Sequence, residues 1–184
     1  MNMGDGRSQK ESSDMNALQV ARRIVAAYGS ERFLTNLKLN LLVYWCQVEA
    51  LRETGAPLFA DAVAVGEHGP IETDVWDEYA SFGSRMIRQR DEWQEPMLDE
   101  SEERIIAHVV DTLGALTAID LLEMSGADDG AWQRAKNRGS ATVDVDDILA
   151  SADMRRTVPA RTLAGCVDKV TREYPNALRL LENS

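Results

Sequence analysis

The chain has 184 residues, 44% hydrophobic and 28% charged, with a net charge of −11. That balance suits a globular domain with one core, and the acidic excess disfavours binding to nucleic acid, whose phosphates need a basic footprint. The longest clearly apolar run, "LLVYWC" at 41–46, is far shorter than the ~20 residues that span a bilayer, so no membrane association is expected.

Residues 1–14, "MNMGDGRSQKESSD", are polar, lack the apolar segment of a signal peptide, and are expected to form a disordered tail of a cytoplasmic protein. A first helix is expected over 15–28, with Leu18, Ala21, Val25 and Tyr28 on one face and Gly29 as its stop. A second opens at Thr35, a good N-cap, and runs to about Thr54 before Gly55 and Pro57. Leu37, Leu41, Tyr44, Val48 and Leu51 form its apolar stripe. Leu39, Leu42, Val43, Trp45 and Cys46 widen that stripe almost all round, the pattern of a central core helix.

The helical period breaks at 59–71, where Val63 and Val65 alternate with alanines. A short strand or extended piece is expected there, turning at Gly66 and at Gly69-Pro70. Thr73 then caps a helix to about Phe82, with Val75, Trp76, Tyr79 and Phe82 on its buried side. Residues 84–97 read as an irregular connection. Asp99 and Glu102 form a capping box for a helix whose core face is Ile105, Ile106, Val109, Val110 and Leu113.

A short helix follows from Thr117, then a loop at 125–130, a turn or two of helix from Ala131, and another helix capped at Asp144 or Asp146. Two more candidates lie at 160–173 and 175–182. The expected fold is mainly α: a single compact helical domain over 15–150, with at most one short β-hairpin or extended segment around 60–71. The helical extension over 151–184 is expected to pack on it.

The negative charge is concentrated. Residues 91–130 hold twelve acidic side chains and one basic one, Arg104. This region can steer a basic protein partner, or it is a solvated face explained largely by helix-start chemistry. Few residues suggest catalysis. His68 beside Glu67 is an acid/base pair in principle, but no nucleophile with an orienting third group accompanies it, and a turn histidine is the plainer reading.

His108 reads as a partly exposed helical residue. No phosphate-binding glycine loop, GxSxG elbow or His/Cys cluster is present, so neither a cofactor nor a metal is expected. The pairs Asp128-Asp129 and Asp146-Asp147 lack calcium-loop spacing. Cys46 reads as a buried thiol, and a disulfide to Cys166 is not expected. Trp45 and Trp76 fall on apolar faces. Trp93 in "RDEWQEP" and Trp132 in a glycine-bounded turn are either interface anchors or side chains folded back onto the core.

Four stretches in collinear order carry a resemblance. They are "FLTNLKLNLLVYWCQ" (33–47), "GAPLFADAVAVGEHGPIETDVWDEYASFG" (55–83), "LDESEERIIAHVVDTLGALTAIDLLEMS" (98–125) and "DGAWQRA" (129–135). Together they resemble the Panacea domain, also called the SocA-like or phage-associated GepA domain. Asn40-Leu41 stand where that family usually has Gln-Lys, and Ala131 where it usually has proline. The resemblance implies a bacterial, prophage-associated antitoxin of a toxin–antitoxin pair, non-enzymatic and without a cofactor, which binds and neutralises a separately encoded toxin.

The alternative is a cytoplasmic protease adaptor or regulator without a cognate toxin. The resemblance also implies that His68, Gly69 and Pro70 form a structural corner. Trp93, Glu100, Glu102, Glu103 and Trp132 are the residues expected to meet a protein partner.

Overall fold

The computed structural model describes residues 15–89 and 96–158. The expected 1–14 tail, Trp93 and the expected helices at 160–173 and 175–182 lie outside the described residues. Helix α1 (Ala17–Tyr28) starts at Asn16, whose side chain accepts from Gln19 N while Gln19 reaches back to Asn16 N, so two of the helix's unpaired donors are satisfied. It buries Ala17, Val20, Ala21, Ile24 and Val25. Leu18 and Tyr28, expected on the core face, are only partly buried. The apolar arc of α1 is wide, and packing selects its Val20/Ile24 side.

Helix α2 (Asn36–Thr54) begins at Thr35, which accepts from Lys38 N, and ends at Gly55 in the left-handed conformation, where glycine carries no Cβ penalty. Fourteen of its nineteen residues are buried, so it has neighbours on nearly every side. Strands β1 (Val63–Val65) and β2 (Pro70–Glu72) form the expected hairpin, with Ala64 opposite Ile71. The helices that follow are α3 (Thr73–Glu78), α4 (Glu100–Leu113), α5 (Ala118–Ser125) and α6 (Ala131–Arg138). Strand β3 (Thr142–Val143) and helix α7 (Val145–Leu149) follow. Within this mainly α fold, β3 pairs antiparallel with β1, giving a three-stranded sheet in the order β2-β1-β3.

The polar side chains of α2 tie these pieces together. Asn40 donates to Glu72 O at 2.8 Å and accepts from Glu72 N at 3.0 Å, acting as the missing neighbour of edge strand β2. Gln47 accepts from Leu58 N and Phe59 N and donates to Phe59 O. Lys38 Nζ donates to Gly114 O at 2.7 Å, placing a cation at the C-terminal end of α4, where the helix dipole favours one. Burial lowers the pKa of that amine. Trp45 Nε1 donates to Ser125 Oγ, holding the end of α5.

Tyr44 donates to Asp153 Oδ2 at 2.7 Å. Asp153, fully buried, lies in the 3₁₀ turn Ala152–Arg155 and also accepts from Ala131 N and Arg156 Nε. One carboxylate therefore joins α2, the start of α6 and the 3₁₀ turn with Arg156 just after it. Removing one partner of such a network leaves buried groups unpaired. Asp153→Ala is expected to cost about 3–5 kcal/mol and Tyr44→Phe about 1–2 kcal/mol, read from urea unfolding midpoints.

Glu72 is an energetic weak point. It is 1% exposed, and its Oε1 has no hydrogen-bond partner. Burial, with lesser contributions from Asp61 and Asp74, pushes its carboxyl up to about 8 from an ordinary 4.5. The unfolded chain releases this proton above 4.5 while the folded chain retains it. Stability from this group is thus fully present below about 4.5 and is lost as pH rises toward 8. Glu72→Gln is expected to flatten the fall in unfolding free energy between pH 5.5 and 8. An unchanged slope in urea titrations would contradict this assignment.

Candidate partner-binding surface

Helix α3 has only six residues. Its N-cap is Glu72, with no side-chain capping bond, and Thr73 is its first helical residue rather than its cap. A 3₁₀ turn at Ala80–Phe82 follows, and the change of pitch ends the helical face expected through Phe82. Val75 and Tyr79 are buried, but Trp76 is 37% exposed. This corrects its expected core position: α3 is too short to turn four side chains inward. Asn36 Nδ2 donates to Trp76 O, so the backbone is fixed while the indole faces outward.

The indole lines a groove of about 350 Å³ between the start of α2, α3 and the start of α5. Leu37, Ala80 and Ala118 supply much of its apolar wall. Two further exposed apolar side chains lie near lining positions in the chain: Ile119, 59% exposed and adjoining Ala118, and Phe33, 62% exposed and two residues before Thr35. The groove is held by backbone bonds, Asn36 N to Gly83 O and Ile87 N to Leu34 O. Gly83 itself has φ +55°, which a residue with a Cβ rarely adopts. Large apolar side chains left in water beside a preformed groove are the usual mark of a binding surface.

The residues expected to meet a partner are dispersed. Glu102 is buried, and its Oε2 accepts from Asp99 N in the capping box. Glu103 pairs with Arg23 of α1 at 2.7 Å. Glu100 is exposed in the first turn of α4. Trp132 takes the inward alternative: it is 5% exposed, and its Nε1 donates to Gly66 O at 3.0 Å, so its ring is not available as a surface anchor. Sequence periodicity misses the groove, because its residues come from three elements brought together only in the fold.

The corner is built around Trp132. Gly66 N–H donates to Gly69 O, closing a turn with His68 at its tip. A Cβ on Gly66 would meet Gly69 O at 2.7 Å, closer than real Cβ atoms come. Lys136 lies over the Trp132 ring at 4.3 Å and donates to Glu67 O. The His68 and Glu67 side chains are 73% and 86% exposed, with Nε2 and Oε1 3.6 Å apart. His108 stands 3.6 Å from Glu49. Among the described residues, no group of three or more His, Cys, Asp or Glu side chains is placed to hold a metal ion, and no single helix is long and apolar enough to cross a membrane.

A helical domain with a central buried helix, a pinned corner and an exposed apolar groove is thereby defined. Residues 39–133, just over half of the chain, match the family described as "Antitoxin SocA-like, Panacea domain". The chain belongs to this family. No curated protein and no solved structure matches it. The matched span runs from α2 into α6 and includes Trp76, Ala80, Ala118 and Ile119 of the groove region. Leu37 and Phe33 precede it, and β3 and α7 follow it.

The two tryptophans separate structural from surface roles. Trp132→Phe, which loses the bond to Gly66 O, is expected to cost about 1–3 kcal/mol. Trp76→Ala is expected to stay within about 1 kcal/mol of the parent, because the indole is partly in water. Thermal or urea unfolding of both variants tests the contrast.

Proposed function

We propose that this protein is a non-enzymatic, cytoplasmic antitoxin that binds and neutralises a separately encoded toxin. The observation that carries this reading is membership of the antitoxin SocA-like family over the span that builds the core. The exposed apolar groove supports it, since a partner protein can bury Trp76 with Leu37, Ala80 and Ala118 of the groove wall. Burial of two or three such side chains supplies the central anchors that dominate protein interfaces. Glu100, near the acidic start of α4, contributes a salt-screened attraction to a basic rim on the toxin.

Co-expression with the protein encoded beside it in the genome tests this directly. The expected result is a stable complex and restored growth of cells making the toxin. Trp76→Ala combined with Ile119→Ser is expected to weaken the complex by about 10- to 100-fold and to abolish rescue, with the helical circular dichroism unchanged. Glu100→Lys is expected to weaken binding more at low salt than at high salt. An effect equal at all salt concentrations would refute the electrostatic part. No complex and no toxicity would refute the antitoxin reading.

A further inference from the structure

A second groove, of about 300 Å³, lies between α2 and α4 where the described chain ends. Its floor is apolar, with Trp45, Val109 and Met124, and its rim carries Glu49, His108 and Thr112. Val158, the last described residue, lines the same groove and is partly buried against the core. Its approach is fixed. Arg156 bonds to Asp153 and Asp129, while Arg52 donates to the carbonyls of Asp153 and Arg156 and lies over the Trp45 ring at 5.7 Å. The chain is thus clamped so that Val158 lies in the groove.

We infer that this groove is the docking site of the chain's own C-terminal segment, residues 159–184. Three observations select this occupant. First, the clamp on Arg156 and the position of Val158 deliver 26 further residues at the groove, with no linker to close. Leu163, five residues on, reaches at most roughly 17 Å from Val158, so the segment begins at an effective concentration no separate chain can match. Second, Leu163, Cys166, Val167 and Val170 recur at three- and four-residue spacing, the pattern of one apolar face, matching the floor of Trp45, Val109 and Met124. Third, the segment holds four basic and three acidic residues, whereas the whole chain carries −11. Its net charge is therefore opposite in sign to that of the remainder of the chain, while the groove's own lining is mixed, Glu49 pairing with Arg52 at 2.9 Å.

The native cysteines provide the measurement. Cys46 is fully buried in α2, and burial pushes its thiol pKa far up, so in the folded chain it does not compete for a thiol reagent. Reaction of the full chain with a disulfide reagent under native conditions therefore reads Cys166. Docking of the apolar face predicts labelling at least about tenfold slower than in a free 159–184 peptide. Filling the groove with Thr112→Trp, at an exposed α4 position, should restore the fast rate while the helical circular dichroism stays constant.

Labelling of the parent chain as fast as the peptide overturns the proposal, as does a protected rate that Thr112→Trp leaves unchanged. Protection that grows with protein concentration assigns the groove to a second copy instead, and equally overturns it. The measurement uses the chain alone, so its outcome is independent of whether a toxin is found.

Discussion

The structure depends on the burial of α2 with its polar side chains inside. An ordinary amphipathic helix hides one face and hydrates the other. Here Lys38, Asn40, Tyr44, Trp45 and Gln47 are all within the core, and burying each unpaired would cost a few kcal/mol. Each instead finds a partner outside α2: Gly114 O, Glu72, Asp153, Ser125 and the Leu58–Phe59 backbone. Hydrophobic burial makes α2 central, and these directional bonds fix where every neighbouring segment sits along it. The hairpin, both ends of the α4–α5 pair and the 3₁₀ turn at Ala152–Arg155 are all registered to this one helix.

That arrangement explains why the surface groove exists. Segment 73–83 is attached mainly through backbone groups: Asn40 clamps Glu72, Asn36 holds Trp76 O, and Gly83 O accepts from Asn36 N. Its polypeptide path is fixed without its largest side chain having to enter the core. Val75 and Tyr79 satisfy the packing, and the indole is left over. The Trp132 corner shows the opposite solution, where the indole N–H has a carbonyl partner at Gly66 and the ring goes inward. The Trp132 indole is thus held inside by a carbonyl acceptor, while Trp76 sits on a six-residue helix whose inward side is filled by Val75 and Tyr79.

What was legible in the sequence follows from this. The bounds of α2, the capping box of α4 and the hairpin are local, and their cap residues and periods are written in adjacent positions. The partners of Asn40, Gln47 and Lys38 lie 11 to 76 residues away, and no local pattern announces them. β3 has two residues, too few for alternation to register, and forms because β1 offers it an edge. Trp76 leaves the expected core face because α3 has only six residues and Val75 and Tyr79 already fill its inward side, which a 3.6-residue period alone does not reveal. The first groove is a meeting of three elements, so sequence alone does not reveal it.

The acidic middle of the chain illustrates the same division between local chemistry and recognition. Part of its charge is engaged within the fold: Glu102 and Asp120 accept at helix starts, Glu103 pairs with Arg23, and Asp129 pairs with Arg156. Carboxylates held by caps and arginines present little unscreened field to a partner beyond a Debye length of about 8–10 Å. Exposed indole and aliphatic surface, by contrast, has no competing internal contact, and its burial contributes roughly 25 cal/mol for each Å² removed from water. On that comparison, burial of the exposed Trp76 groove offers a partner more free energy than the charges at the start of α4 do.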